Sequence, residues 1–445
     1  MNPTSADVAF AGRTGVFAYY TDTIVPQPSL EPFSLDEYLG EYKGHAKISR
    51  ALYVAKVCPE LSERAYRIAL EEIKENTTST EQYEQVIKLM RDFSMPVDLD
   101  SRWVVAAKEK NERELLALAA EVEKESKKHL KKEAMKSQKE LARMYERCGK
   151  MDVAIAKWQE ARSFCVTVDE NAMLFLECAH ISAAMSRWPQ VNNHVQRVLS
   201  TLSKLPDQMS TEIRFLQLQA DFGEGNWQAV ANAIETLSYE TAMSAKVYDR
   251  GVLTPSDVAL YGTLSGLAVL SRNNIKEKLI ENPNFRLYLD HMPECLRLLQ
   301  SFYSSRYSDT LARLEAIATL GRIDNVIARH ISALCKLIKE NIVVLYTQPF
   351  VSTSLASMAK TLHFNSASEL ENELVRLIES KRIQGRIDGA AGFLVNYTVN
   401  PRDRALESIE RMYKSFGVQA DLMLARIQYL EEEAALGGTK ATSKR

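Results

Sequence analysis

Apolar residues recur every three or four positions through most of this chain. Between Ser34 and about residue 345 almost nothing alternates with the period of two that a half-buried strand requires. The first regular element is expected at Ser34, where Ser34 and Glu37 form a capping-box pattern ahead of an apolar run. Residues 1–33 carry Pro3, Pro26, Pro28 and Pro32 with Gly12 and Gly15 and hold no periodicity, so they read as a flexible arm. Another helix is predicted to open at Thr254: Thr254 is a good N-cap, Pro255 suits the first helical position, and Asp257 can reach back to the cap. Helical patterns continue through Phe302, Tyr303, Tyr307 and Leu311 to Tyr346.

The clearest local pattern lies between Leu141 and Ala161. Leu141, Ala142 and Tyr145 have the spacing of the first helix of a tetratricopeptide repeat, and Ala154, Trp158 and Ala161 that of the second, with Gly149 in the turn. The small residues permit close approach, while Tyr145 and Trp158 fill the groove between the helices. One such match also suits an ordinary helical hairpin; recurrence favours the repeat. Asn171–Ser186 pairs with Gln190–Leu202 across Trp188 and Pro189, and Thr211–Phe222 pairs with Gln228–Leu237 across GEGNW. Such hairpins cannot bury their faces alone and stack into a solenoid. Between the first helices and this repeat, Glu112–Glu140 is rich in both Lys and Glu. Its mixed signs favour a solvated helix laced with i,i+4 pairs over a basic docking surface.

The texture changes at Gln348-Pro349-Phe350. A short helix follows with apolar Val351, Leu355, Met358, Ala359 and Leu362, and then a helix capped by Ser366 and Glu369 with a stripe of Leu370, Leu374, Leu377 and Ile378. RIQGRI, a turn at Asp388-Gly389, and GFLVNY then read as a β-hairpin. Helix, helix, strand, strand is the order of a winged helix. From about Arg402 to Ala434 a long amphipathic helix carries Leu406, Ile409, Tyr413, Phe416, Ala420, Leu424, Ile427 and Leu430 at spacings of three and four. That stripe packs either against helices of other chains or, through a break near Gly417, back on the chain's own solenoid. The polar end GGTKATSKR reads as a disordered tail.

Composition narrows the functions. In 445 residues, 46% are hydrophobic and 26% charged, and 56 Lys and Arg nearly balance 58 Asp and Glu, for a net charge of -2. A polyanion as main partner calls for clustered positive charge, which this balance does not supply. The wing's second helix carries Glu369, Glu371, Glu373 and Glu379 against Arg376, with Lys381 and Arg382 only at its end, so docking on phosphates is disfavoured. The longest apolar stretches, such as Gly262–Leu270, fall short of the ~18–20 residues a spanning helix needs, and the N-terminus lacks a signal-peptide pattern. The six cysteines are scattered and read as small buried hydrophobes in a reducing compartment. The histidines His45, His129, His180, His194, His291, His330 and His363 form no H-x-H or H-E-x-x-H pair, and no phosphate loop or nucleophile elbow occurs. No catalytic, cofactor-binding or metal-ligating residue is assigned.

A helical-repeat solenoid running into a winged helix is the organisation of PCI-domain proteins, found in the proteasome lid, the COP9 signalosome and translation initiation factor 3. Within that family the chain resembles the first-subunit group of the signalosome at LDEYLGEYKGHAKISRAL (Leu35–Leu52), LTPSDVALYGTLSGLA (Leu253–Ala268), FYSSRYSDTLARL (Phe302–Leu314), YTQPFVS (Tyr346–Ser352) and IQGRID (Ile383–Asp388). The likeness runs in order from about Leu35 to Leu430. The resemblance implies a mainly α fold: a tetratricopeptide-like right-handed solenoid over 34–250, and a PCI domain over 251–400 with its helical part at 251–347 and winged helix at 348–400. A C-terminal helix over 401–436 and a tail at 437–445 would complete it. It implies a non-catalytic scaffold, in the cytoplasm and nucleus, of a complex that removes a ubiquitin-like modifier from cullins in cullin-RING ubiquitin ligases. In such a complex the zinc isopeptidase is a different subunit. The expected partners are the second and third subunits, met through a winged-helix edge at Ile383, Gln384, Arg386 and Ile387. Further subunits would be met through a helical bundle that takes the C-terminal helix. Contact with cullin-RING ligases would be indirect, and no nucleic acid or membrane is implied. A proteasome-lid scaffold, a nucleic-acid-binding PCI protein and a stand-alone enzyme are the alternatives.

Overall fold

A computed structural model describes residues 34–93, 99–128, 131–202, 206–364, 366–397 and 401–441. The arm expected over residues 1–33 lies outside them. The chain divides into two compact units, one ending at Val343 and the other starting at Val344. The observed fold class is the expected one: helical repeats, then a small helix-and-strand unit.

The first unit starts with α1 (Leu35–Gly40), capped by the Ser34 hydroxyl, which accepts from the Glu37 N–H at 3.4 Å. It continues through α2 (Gly44–Val57), α3 (Pro59–Glu75) and α4 (Thr80–Asp92). Their inner faces meet in one core that includes Leu39, Ala51, Val54, Ala65, Ala69, Ile73, Val86 and Met90. The long helix α5 (Ser101–Lys127) is capped by Asp100 and carries the pairs Lys110–Glu114, Arg113–Glu109 and Lys127–Glu123 on its exposed surface. The mixed-charge stretch Glu112–Glu140 is therefore two elements. Past Lys131 it belongs to α6 (Lys131–Arg147), where Ala134, Met135, Ser137 and Gln138 are buried; the solvated reading holds only for α5.

The repeats are α6 with α7 (Met151–Glu160), α8 (Val168–Ala184) with α9 (Trp188–Thr201), and α10 (Asp207–Glu224) with α11 (Trp227–Ala233), each pair packing on the next. Trp188 and Pro189 open α9 rather than forming the turn before it. Ala142, Ala154, Trp158 and Ala161 lie in one buried cluster with Leu174 and Cys178, and Tyr145 packs against its edge. Leu141 is buried outside that cluster.

One backbone device closes each of these three hairpins. A residue with positive φ follows the first helix, and the next amide reaches five residues back. Lys150 donates to Tyr145 O at 3.0 Å, Arg187 to Ser182 O at 3.0 Å and Asn226 to Asp221 O at 2.8 Å, with Gly149, Ser186 and Gly225 left-handed. The same turn joins α16 (Pro293–Tyr303) to α17 (Tyr307–Gly321), where Ser305 is left-handed and Arg306 donates to Ser301 O at 3.0 Å.

Between these hairpins run α12 (Tyr239–Ser244), α13 (Pro255–Val269), α14 (Arg272–Ile275) and α15 (Pro283–His291). The α13 start forms the expected box: Thr254 Oγ1 accepts from Asp257 N and Asp257 Oδ2 accepts from Thr254 N, both at 3.1 Å. This helix is buried on every side, and Gly262 lets Phe285 approach; a Cβ there would stand 2.7 Å from its ring.

Asp257 also joins a buried ionic group that ties the first helices of the chain to helices some 200 residues later. Arg50 of α2 pairs with Asp257 at 3.4 Å and with Asp324, which lies in the loop after α17. Tyr42 donates to Asp257 at 2.8 Å and Tyr38 to Asp324 at 2.9 Å, while Asp324 Oδ1 accepts from Val326 N and Ile327 N. The guanidinium sits 4.0 Å from the centroid of the Tyr42 ring. Burial pushes the Asp257 carboxyl up to about 6, against the lowering influence of Arg50. Helix α18 (Ile331–Thr347) follows.

Candidate assembly interface

The second unit builds its core from a small number of apolar side chains. Strand β1 (Ser352–Ser354) leads into α19 (Leu355–Thr361); α20 (Ala367–Glu379) follows, then β2 (Gly385–Asp388) and β3 (Phe393–Asn396). Leu355, Met358, Leu362, Leu370, Leu374, Leu377, Ile383 and Leu394 are buried. Ser366 caps α20 by accepting from Glu369 N at 3.1 Å. Left-handed Lys381 ends that helix, and left-handed Gly392 sits in the wing turn. Asn396 Nδ2 donates to Thr347 O at 2.6 Å and to Phe350 O at 2.8 Å, anchoring β3 to the incoming chain. The sequence pattern assigned Val351 to the apolar side of a helix; it is exposed and directly precedes β1, which the pattern did not reveal.

The sheet order is β1-β3-β2, all antiparallel, so β2 is an edge. Along an antiparallel strand, backbone groups point alternately toward and away from the partner. Tyr397 N donates to Gln384 O at 2.8 Å, which turns residue 384 toward β3, and two residues on Arg386 faces Val395 in the same sense. Gly385 and Ile387, opposite Asn396 and Leu394, present their N–H and C=O outward. On β3 the alternation agrees, since Asn396 N donates to Val351 O on the opposite side at 2.8 Å.

This alters the four-residue edge. Ile383 is a core residue, buried beneath α20, and Gln384 and Arg386 use their backbone groups inside the sheet while exposing their side chains. Gly385 is buried, and partly exposed Ile387 carries the accessible outward donor. The alternation of GFLVNY carries a further feature: Phe393 and Tyr397 are exposed on the face opposite Leu394, which is buried in the core.

The C-terminal helix α21 (Pro401–Ala441) continues without interruption through Gly417, so the break that the fold-back alternative requires does not occur, and it runs beyond the boundary expected at residue 436. Residues 442–445 of the expected tail lie outside the described ones. At 1.5 Å per residue, α21 is about 60 Å long. Leu406, Ile409, Tyr413, Phe416, Leu424, Ile427 and Leu430 are each 51–76% exposed. Met412 and Met423 widen this stripe at one edge. Val418, Leu422 and Tyr429 are also exposed and fall on the opposite side of the helix, at spacings of four and seven. A helix apolar on two sides is suited to the interior of a bundle rather than to a single groove. The same periodicity count, started from Val418, would have found this second line in the sequence.

Among the described residues no group of three or more His, Cys, Asp or Glu is placed to hold a metal ion, and no helix is long and apolar enough to cross a membrane. Burial pushes the thiols of Cys178 and Cys295 up to about 12, far from a reactive thiolate at neutral pH.

Comparison with known families places a PCI domain at residues 318–397, and residues 100–278 match the family described as 26S proteasome subunit RPN7. The chain is similar to COP9 signalosome complex subunit 1 of Arabidopsis thaliana, 27% identical over 92% of this chain and 92% of that protein. It is 26% identical to the protein of the same name from Schizosaccharomyces pombe, over 90% and 92%. The likeness to the 26S proteasome non-ATPase regulatory subunit 6 homolog of Arabidopsis thaliana is 22%, over 38% of this chain and 42% of that one.

Proposed function

We propose that this PCI-domain chain, similar along nine tenths of its length to COP9 signalosome complex subunit 1, is a non-catalytic scaffold subunit of a COP9 signalosome. In this role it supports removal of a ubiquitin-like modifier from cullin-RING ligases by holding other subunits together, in the cytoplasm and nucleus. The observation that carries the reading is the end-to-end likeness to the signalosome proteins, against 38% coverage by the proteasome protein. The apolar surface of α21 fits it, because so long an exposed stripe marks an interaction site.

Tagged chain recovered from its own cells, with its companions identified by mass spectrometry, tests the reading directly. Signalosome subunits are the expected companions; proteasome lid subunits in their place would overturn it. Deleting residues 402–445 is expected to leave a chain with an unchanged melting profile that no longer co-purifies with the complex. Normal incorporation of the truncated chain would show that α21 is dispensable.

For the wing, Ile387→Pro removes the accessible outward donor and is expected to weaken recovery of neighbouring PCI subunits. Arg386→Pro removes a donor used within the sheet and is expected to destabilise the second unit itself. Equal recovery of neighbours by Ile387→Pro and wild type would exclude strand pairing at this edge.

A further inference from the structure

A cleft of about 650 Å³ lies in the first unit, lined by Val122, Gln138, Glu160 and Phe164 among others. A smaller cavity of about 100 Å³ shares Gln159 and Arg162 with it and is lined as well by Trp158, Asn171, Phe175 and Arg197. We propose that this pair of cavities binds an extended peptide segment and seats one acidic or phosphorylated side chain between Arg162 and Arg197.

Charge is the first ground. The guanidinium carbons of Arg162 and Arg197 lie 5.9 and 5.7 Å from the centroid of the Phe175 ring. Among the described residues neither arginine forms an ion pair with a carboxylate. A cation–π contact at this distance orients a guanidinium and leaves its N–H fork free for a planar or tetrahedral oxyanion. Arg143 adds a third positive group, 5.8 Å from the ring of Trp158. The nearby carboxylates are already engaged. Glu160 takes Lys157 at 2.8 Å and Gln138 at 3.3 Å, and Glu170 accepts from Val166 N and Thr167 N at the start of α8.

The second ground is unsatisfied polarity. Trp158 Nε1 and Asn171 Oδ1 are buried side-chain atoms without a hydrogen-bond partner among the described residues, and both residues line the smaller cavity. Leaving such groups unpaired costs free energy that a ligand group can recover. Size is the third. The small cavity has room for the head of one side chain only, whereas the cleft beside it mixes apolar Val122 and Phe164 with amide groups, as a peptide backbone requires.

Three degenerate nine-residue fluorescent peptide pools, centred on phosphoserine, glutamate or serine, are titrated by anisotropy against the full chain. Either anionic pool is expected to bind about tenfold tighter than the serine pool, and inorganic phosphate to compete. Preference for one anionic pool identifies the source of the oxyanion. Because both side chains are exposed, Arg162→Gln and Arg197→Gln are each expected to keep the wild-type melting temperature and lose about tenfold in affinity. Arg187→Gln, which removes a surface pair with Asp152, is expected to bind normally. Equal binding of the serine pool, wild-type affinity in both arginine variants, or tighter binding of an oligouridylate than of either anionic pool would overturn the proposal.

Discussion

Replacing Arg50 with Met is expected to destabilise the first unit by about 3–5 kcal/mol, because it leaves two carboxylates in the interior without their cation. Arg50 and Asp257 are 2% and 4% exposed and Asp324 is 3% exposed, so water cannot take over the role of the guanidinium. The hydrogen bonds from Tyr42, Tyr38 and the backbone amides of Thr254, Val326 and Ile327 stabilise the carboxylates but do not neutralise them. Urea unfolding of the full chain measures the loss, and a change under about 1 kcal/mol would refute it. Adding Asp257→Asn and Asp324→Asn to Arg50→Met is expected to recover much of the stability, since the buried charges then disappear together.

The same cluster has a pH signature. Asp257 titrates near 3.8 when unfolded and at about 6 in the folded chain, so between those values the native state holds the extra proton. Stability from this group is therefore lost as pH rises through that window and is flat above it. Burial holds His45 at about 4, and a histidine that stays neutral in the fold gives the opposite slope over much of the same range. The difference between wild type and Asp257→Asn isolates the carboxyl: the advantage of the variant should grow from pH 4 to pH 6. A difference that does not change with pH would show that Asp257 is ionised throughout.

What the sequence disclosed and what it concealed divide along contact distance. The caps at Thr254 and Ser366 were readable because a cap is a bond between residues three apart. The Trp158 hairpin was readable because its small and aromatic residues keep a fixed local spacing. The shared turn was hidden, since the left-handed position is Gly149 or Gly225 in two hairpins but Ser186 or Ser305 in the others. Strand β1 was hidden because its three residues gain strand character only by pairing with β3 about 40 residues later. Strand β2 is an edge of the sheet, yet which of its donors point outward depends on register, which nothing local to IQGRID specifies. The Arg50 group joins residues 207 and 274 positions apart and left no local pattern at all.

Trp158→Ala is expected to cost about 3–5 kcal/mol, and Leu141→Ala about 2–5 kcal/mol, through the cavities they leave. Trp158 is 1% exposed and belongs to a cluster in which Ala142, Ala154 and Ala161 are too small to move into the space it vacates. Trp158→Phe should cost far less. Its ring replaces most of the lost contact, and removing an indole N–H that donates to no described residue relieves an unpaired buried group. The alanines provide the reverse test. Ala154 is 0% exposed, so Ala154→Leu should overpack the hairpin and cost about 1–3 kcal/mol. Trp158 answers to volume and Ala154 to its absence, and together they fix which faces of α6, α7 and α8 meet. Melting curves of Trp158→Ala and Leu141→Ala that both overlay wild type would mean that the repeat is in a different register from the one described.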